Sequence, residues 1–171
     1  NVTGVQTCAL PISLVTAPAF SEYEEALTAA GCAVTRHPLR RENRFDVDGG
    51  LLDVIAPGVE LVFLCTPNNP TGVVYSAGTL ERMADILRAK EKEYGTAIVL
   101  ISDEPYRELA YDGVEVPYVT GFYDDTVICY SYSKSLSLPG ERIGYLVIPD
   151  ELQDSKEVFN AATIANRVMG C

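Results

Sequence analysis

The sequence predicts an α/β fold, a three-layer sandwich around a mostly parallel sheet. Short β-branched runs recur along the chain, and amphipathic stretches with helical spacing lie between them. Such alternation is the pattern of helices packed on a parallel sheet. In addition, three motifs that could carry chemistry each follow directly on one of the apolar runs. That is where open α/β sheets bind ligands, beyond the carboxyl ends of their strands.

Taken in order, the strand-like runs are residues 13–17, 33–36, 61–65, 97–101, 126–130 and 144–148. A helix is expected over residues 21–30, where Ser21 and Glu24 have the spacing of a capping box. A second is expected over residues 77–94, with Leu80, Met83, Ala84 and Leu87 on one stripe and Glu81, Arg88 and Lys92 on the other. A last helix is expected over residues 150–169. Glu22, Glu24 and Glu25 read as a solvated helix face. The segment AYDGVEVPYVTGFY, with Tyr111, Tyr118 and Tyr123, reads as a hairpin-like, mostly structural excursion.

Composition narrows the function classes. The 171 residues suffice for one sizeable core, and no apolar run is long enough to span a bilayer. A net charge of −11 argues against nucleic acid and anionic membranes as partners. It leaves a phosphate ligand open, because a cofactor feels local donors more than total charge. The five cysteines, Cys8, Cys32, Cys65, Cys129 and Cys171, form no CxxC pair, and Cys65 and Cys129 sit inside apolar runs. This predicts a reduced, cytoplasmic protein without a zinc site. The lone histidine, His37, is expected at the surface or a strand end, with no metal partner. Residues 1–13, NVTGVQTCALPIS, lack the basic region of a signal peptide and are expected to be a leader foreign to the fold, ahead of one domain over residues 14–171.

The most informative segment is SYSKSLSLPGERIG, Ser131 to Gly144. Lys134 stands among hydroxyls and small residues just after the apolar run TVICY, a setting for a desolvated amine. Arg142 and the serine hydroxyls are groups suited to a phosphate. An amine nucleophile beside a phosphate clamp is what pyridoxal phosphate requires of a protein.

This segment resembles the lysine-attachment signature of the class I/II aminotransferases, the fold-type I pyridoxal phosphate enzymes, matching at Ser131, Tyr132, Ser133, Lys134, Ser137, Leu138, Gly140, Arg142, Ile143 and Gly144. LCTPNNPTG (Leu64 to Gly72) resembles the family's asparagine loop, and ISDEPYREL (Ile101 to Leu109) its strand-end aspartate with a tyrosine three residues on. The likeness is nearest the bacterial aspartate/aromatic aminotransferase branch. It implies the large cofactor-binding domain of such an enzyme, pyridoxal 5′-phosphate as cofactor, amino acid and 2-oxo acid substrates, and a homodimer.

The resemblance also implies residue roles. Lys134 would form the Schiff base with the cofactor and shuttle the substrate proton. Asp103 would pair with the pyridine nitrogen, keeping the ring cationic. Tyr106 and Asn69 would bond the 3′ oxygen, and Asn69 would also face the substrate carboxylate. Ser131, Ser133 and Arg142 would hold the phosphate. Phe20, in APAFSEYEEAL, would stack on the ring. The family's glycine-rich phosphate loop and its C-terminal substrate-binding arginine have no counterpart here, which implies an internal segment of a longer enzyme, inactive by itself. Decarboxylases, C–S lyases and cyclopropane-forming synthases share this constellation, and an aminotransferase-like effector domain of a transcription regulator is a further reading. A nucleotide-binding α/β domain is disfavoured, since neither GxGxxG nor a Walker loop follows a strand.

Overall fold

The computed structural model describes residues 11–169, apart from the Leu52 side chain. Six strands form a single sheet: β1 (Ile12–Ala17), β2 (Ala33–Pro38), β3 (Val59–Cys65), β4 (Val99–Asp103), β5 (Thr126–Ser131) and β6 (Gly144–Val147). Their order is β2-β1-β3-β4-β5-β6; the first five run parallel and β6 pairs antiparallel with β5. The helices are α1 (Ser21–Ala29), α2 (Leu51–Val54), α3 (Ala77–Tyr94), α4 (Tyr132–Ser135) and α5 (Ser155–Met169). The expected α/β class and mostly parallel sheet are what the chain adopts.

The sheet's two faces are covered unequally. Val62 and Leu64 of β3 and Leu100 of β4 are fully buried, and they join one cluster with Leu80, Met83, Ala84 and Leu87 of α3 and with Leu51 of α2. This is the stripe read from the sequence. The helix is stopped at both ends by local chemistry: the Ser76 hydroxyl accepts from Thr79 N–H at 3.1 Å, and Gly95 takes a left-handed φ of 71°. The alternate residues, Leu61, Phe63, Ile101 and Asp103, are only half-buried. The strand period of two therefore turns Asp103 toward the less covered face.

Several local expectations are corrected. β4 begins at Val99 rather than residue 97, because Ile98 N–H is taken by the Glu91 carboxylate at 2.9 Å and Ile98 C=O by the Tyr123 hydroxyl at 2.7 Å. α1 has no capping box: Phe20 is its N-cap, with no side-chain bond, and Glu24 lies on the exposed face, paired with Arg36 of β2 at 2.5 Å. α5 starts at Ser155, since Asp154 at φ 57° breaks the helical path and Gln153 N–H is held by Asp125 at 2.6 Å. Residues 110–123 form no hairpin. Arg107 draws in the carbonyls of Val116 (2.5 Å) and Pro117 (2.9 Å), which removes them from any strand ladder, and Tyr123 is buried. His37 does end a strand, but it is buried at 2% exposure rather than at the surface. Cys32, Cys65 and Cys129 are free thiols. Of the leader expected over residues 1–13, positions 1–10 lie outside the described residues, while Ile12 and Ser13 belong to β1 and pair with Ala33 and Val34, so the fold begins before residue 14. No helix among the described residues is long and apolar enough to cross a membrane.

Candidate active site

Parallel strands all deliver their carboxyl ends to one edge of the sheet, and the motifs follow them there. Cys65, Asp103 and Cys129 are register partners, forming a row across β3, β4 and β5. Asp103 stands in the middle of that row. Burial raises its carboxyl above the ordinary range, and a hydrogen bond donated by the Tyr23 hydroxyl to Oδ2 opposes the rise. The flanking thiols are pushed up by burial, Cys65 to about 11 and Cys129 to about 12, so both are neutral near pH 7 and add no charge beside the carboxylate.

The turn after β4 is locked by a buried ion pair. Glu104, 2% exposed in its side chain, accepts from Arg107 Nη2 at 2.6 Å and Nε at 2.9 Å, and from the Ser102 hydroxyl at 2.8 Å. The Arg107 guanidinium also lies 4.0 Å from the centre of the Tyr118 ring. Between these two residues stands Tyr106. Its hydroxyl accepts from Asn69 Nδ2 at 3.1 Å, although the residues are 37 positions apart.

Turn chemistry after β3 belongs to Asn68, not Asn69. Asn68 Oδ1 accepts from the Thr71 hydroxyl at 2.7 Å and the Thr71 N–H at 3.2 Å. Asn69 is thereby left to reach Tyr106.

After β5, Ser131 caps the short helix α4. Its hydroxyl accepts from Ser133 N–H at 3.2 Å and donates to the Ser133 hydroxyl at 2.8 Å. Lys134 follows one residue later, with Nζ 5.7 Å from the centre of the Tyr106 ring. The expected dry pocket around this amine is not found: Lys134 is exposed. The segment after it, residues 136–144, is exposed as well.

Arg142 takes a left-handed φ of 54°, and Nη1 donates to Pro139 C=O at 2.9 Å. It shares an open cleft of about 580 Å³ with Asp103, Ser131, Tyr145 and Phe159. Asn69 and Tyr106 line a second cleft with Leu109 and Tyr111, and Phe20 a third beside the end of β1. Asp103, Ser131, Arg142, Asn69, Tyr106 and Phe20 thus stand at one end of the sheet but line three different clefts, and Lys134 and Ser133 line none of the three. Phe20 is half-exposed and packs edge-on to Tyr23, with centroids 5.7 Å apart. Tyr23, Glu104 and Arg107 were not singled out from sequence. Tyr23 stands inside an acidic helix start that masks it, and its only signal is lying three residues after Phe20, on the same helix face.

The profile of aminotransferase class I and II matches residues 9–169. An amino transferase from Eubacterium rectale superposes with a TM-score of 0.90 at 46% identity, over 94% of this chain and 40% of that one. The aspartate aminotransferase of Pyrococcus horikoshii is 32% identical over 87% of this chain and 37% of its own length. The threonine-phosphate decarboxylase of Salmonella typhimurium is 32% identical over 81% of this chain and 36% of its own. The chain therefore spans well under half the length of these relatives. With a profile match over nearly all of its residues and the α/β sheet to accompany it, this chain belongs to the class I and II aminotransferase family, of fold type I.

Proposed function

We propose that this chain is the cofactor-binding portion of a pyridoxal phosphate-dependent aminotransferase, which moves an amino group between an L-amino acid and a 2-oxo acid. The observation that carries the reading is the bond from Asn69 to Tyr106, which joins two of the three motifs beside the Asp103 row. The donor set fits the cofactor: a carboxylate for a ring nitrogen, an amide and a phenol side by side for a ring oxygen, paired hydroxyls and a guanidinium for a phosphate, and an amine.

When bound, pyridoxal phosphate supplies an aldehyde that condenses with amines and a ring that accepts an electron pair from the substrate's α-carbon. The chain's residues bind, orient and move protons. Lys134 would hold the cofactor through its amine, and the same Nζ would take the proton from the substrate α-carbon. Asp103 keeps the ring nitrogen protonated. The Tyr106 hydroxyl and Asn69 Nδ2 donate to the 3′ oxygen, and Asn69 faces the substrate carboxylate. Ser131, Ser133 and Arg142 bind the phosphate, with Arg142 offering a two-pronged contact. Phe20 stacks on the ring, contributing about 1 kcal/mol. The complete enzyme is proposed to be a cytoplasmic homodimer; the free thiols support a reducing compartment.

A second reading is supported by the likeness to a decarboxylase: the same residues serve loss of the substrate carboxylate when that bond, rather than the Cα–H bond, stands perpendicular to the ring. Borohydride reduction of the complete protein with cofactor tests both readings. The label is expected on Lys134, and Lys134→Ala is expected to lower turnover about 10²–10⁴-fold or more. Labelling elsewhere would refute the assignment. Release of carbon dioxide rather than a 2-oxo acid in a half-reaction would select the decarboxylase.

A further inference from the structure

The geometry points to Tyr23 as the positioning residue for Asp103, holding that carboxylate in the orientation in which Oδ1 meets the ring nitrogen of a bound pyridine. The inference rests on the proposed role of Asp103 and adds a residue of another element to it.

Tyr23 lies on α1, 80 residues from Asp103, and its hydroxyl donates to Asp103 Oδ2. Two aromatic contacts aim the phenol. Phe20 meets it edge-on at 5.7 Å, and Phe63 of β3 lies tilted against it at 5.5 Å. The ring is therefore held between the helix and the sheet, with its hydroxyl at the Asp103 carboxylate. A carboxylate alone at a strand end turns through a broad, two-fold torsional well. A donor fixed by packing removes that freedom and commits one oxygen, leaving the other for a ligand. A hydrogen bond to a charged acceptor is also among the stronger kinds, and it favours the ionised form that burial opposes. Of the neighbours facing Asp103 from the adjacent strands, Cys65 directs its thiol to the Pro67 carbonyl at 3.2 Å, and Cys129 offers only the weak donor of a thiol.

Tyr23→Phe tests this, because it keeps the packed ring and deletes only the donor. The complete protein, freed of cofactor, is titrated by fluorescence with pyridoxal 5′-phosphate and with an analogue whose ring nitrogen is replaced by carbon. Tyr23→Phe is expected to weaken binding of the cofactor about tenfold. It is expected to leave binding of the analogue unchanged, and to add no further loss once Asp103→Ala is present. Equal weakening of cofactor and analogue, an added loss in the Asp103→Ala background, or no effect on the cofactor would each overturn the inference while leaving the proposed function intact. Unchanged cofactor binding by Asp103→Ala alone would overturn both.

Discussion

Replacing Arg107 by leucine would leave the Glu104 carboxylate in the interior without a cation. The side chains of Arg107 and Glu104 are 14% and 2% exposed, and they are joined at 2.6 Å and 2.9 Å. Breaking one partner out of a buried pair costs about 3–5 kcal/mol, mainly because the remaining charge is uncompensated. Two further bonds, to the carbonyls of Val116 and Pro117, and the contact with Tyr118 disappear with it. The Ser102 hydroxyl is the one Glu104 partner that persists.

The pH dependence follows from the sign of the shift. Burial raises the Glu104 carboxyl above its ordinary value, and Arg107 opposes the rise. Removing Arg107 raises it further. An acid whose folded-state value lies above its unfolded one binds more protons when folded, so stability falls as pH rises through that interval and the full penalty stands above it. Urea unfolding of wild type and Arg107→Leu at pH 5 and pH 8 should therefore show a loss of about 3–5 kcal/mol at pH 8 and a smaller one at pH 5. Arg107→Leu combined with Glu104→Gln should recover part of the loss at pH 8. A loss below about 1 kcal/mol, or one equal at both pH values, would refute the claim that a buried charge pair locks this turn.

Two other outcomes are expected. Gly144→Ala should destabilise the edge strand by about 1–3 kcal/mol, because a Cβ there runs into the Tyr130 carbonyl across the β5–β6 pair; an unchanged urea midpoint would contradict it. His37 is buried with neither ring nitrogen hydrogen-bonded, and burial lowers its pKa even though Asp48 lies 3.7 Å away. A base depressed in the folded state contributes stability that is present above its unfolded value of about 6.5 and lost as pH falls through the folded value. His37→Leu should therefore flatten the acid side of the stability profile below about pH 6.5, and an unaltered profile would show that another group sets it.

The order of the six strands and of the three longer helices was legible in the residues because each depends on neighbours a few positions away, whereas the single-turn helices α2 and α4 left no such pattern. The α3 stripe and the β-branched runs mark elements without reference to the rest of the chain, and the three motifs stand at strand ends because turn and polar residues follow apolar runs. Boundaries failed where a distant group intervened: Glu91 and Tyr123 hold Ile98 off the sheet, and Arg36 draws Glu24 away from the cap. Only the tertiary structure could bring Tyr23 to Asp103, since the bond spans 80 positions and depends on a helix crossing the sheet at one angle. Only it could show Lys134 in the open, because solvent exposure is set by what the whole fold lays over a residue. Local periodicity determines which elements form; which polar groups meet between them is decided by how the elements pack, and no local pattern encodes that.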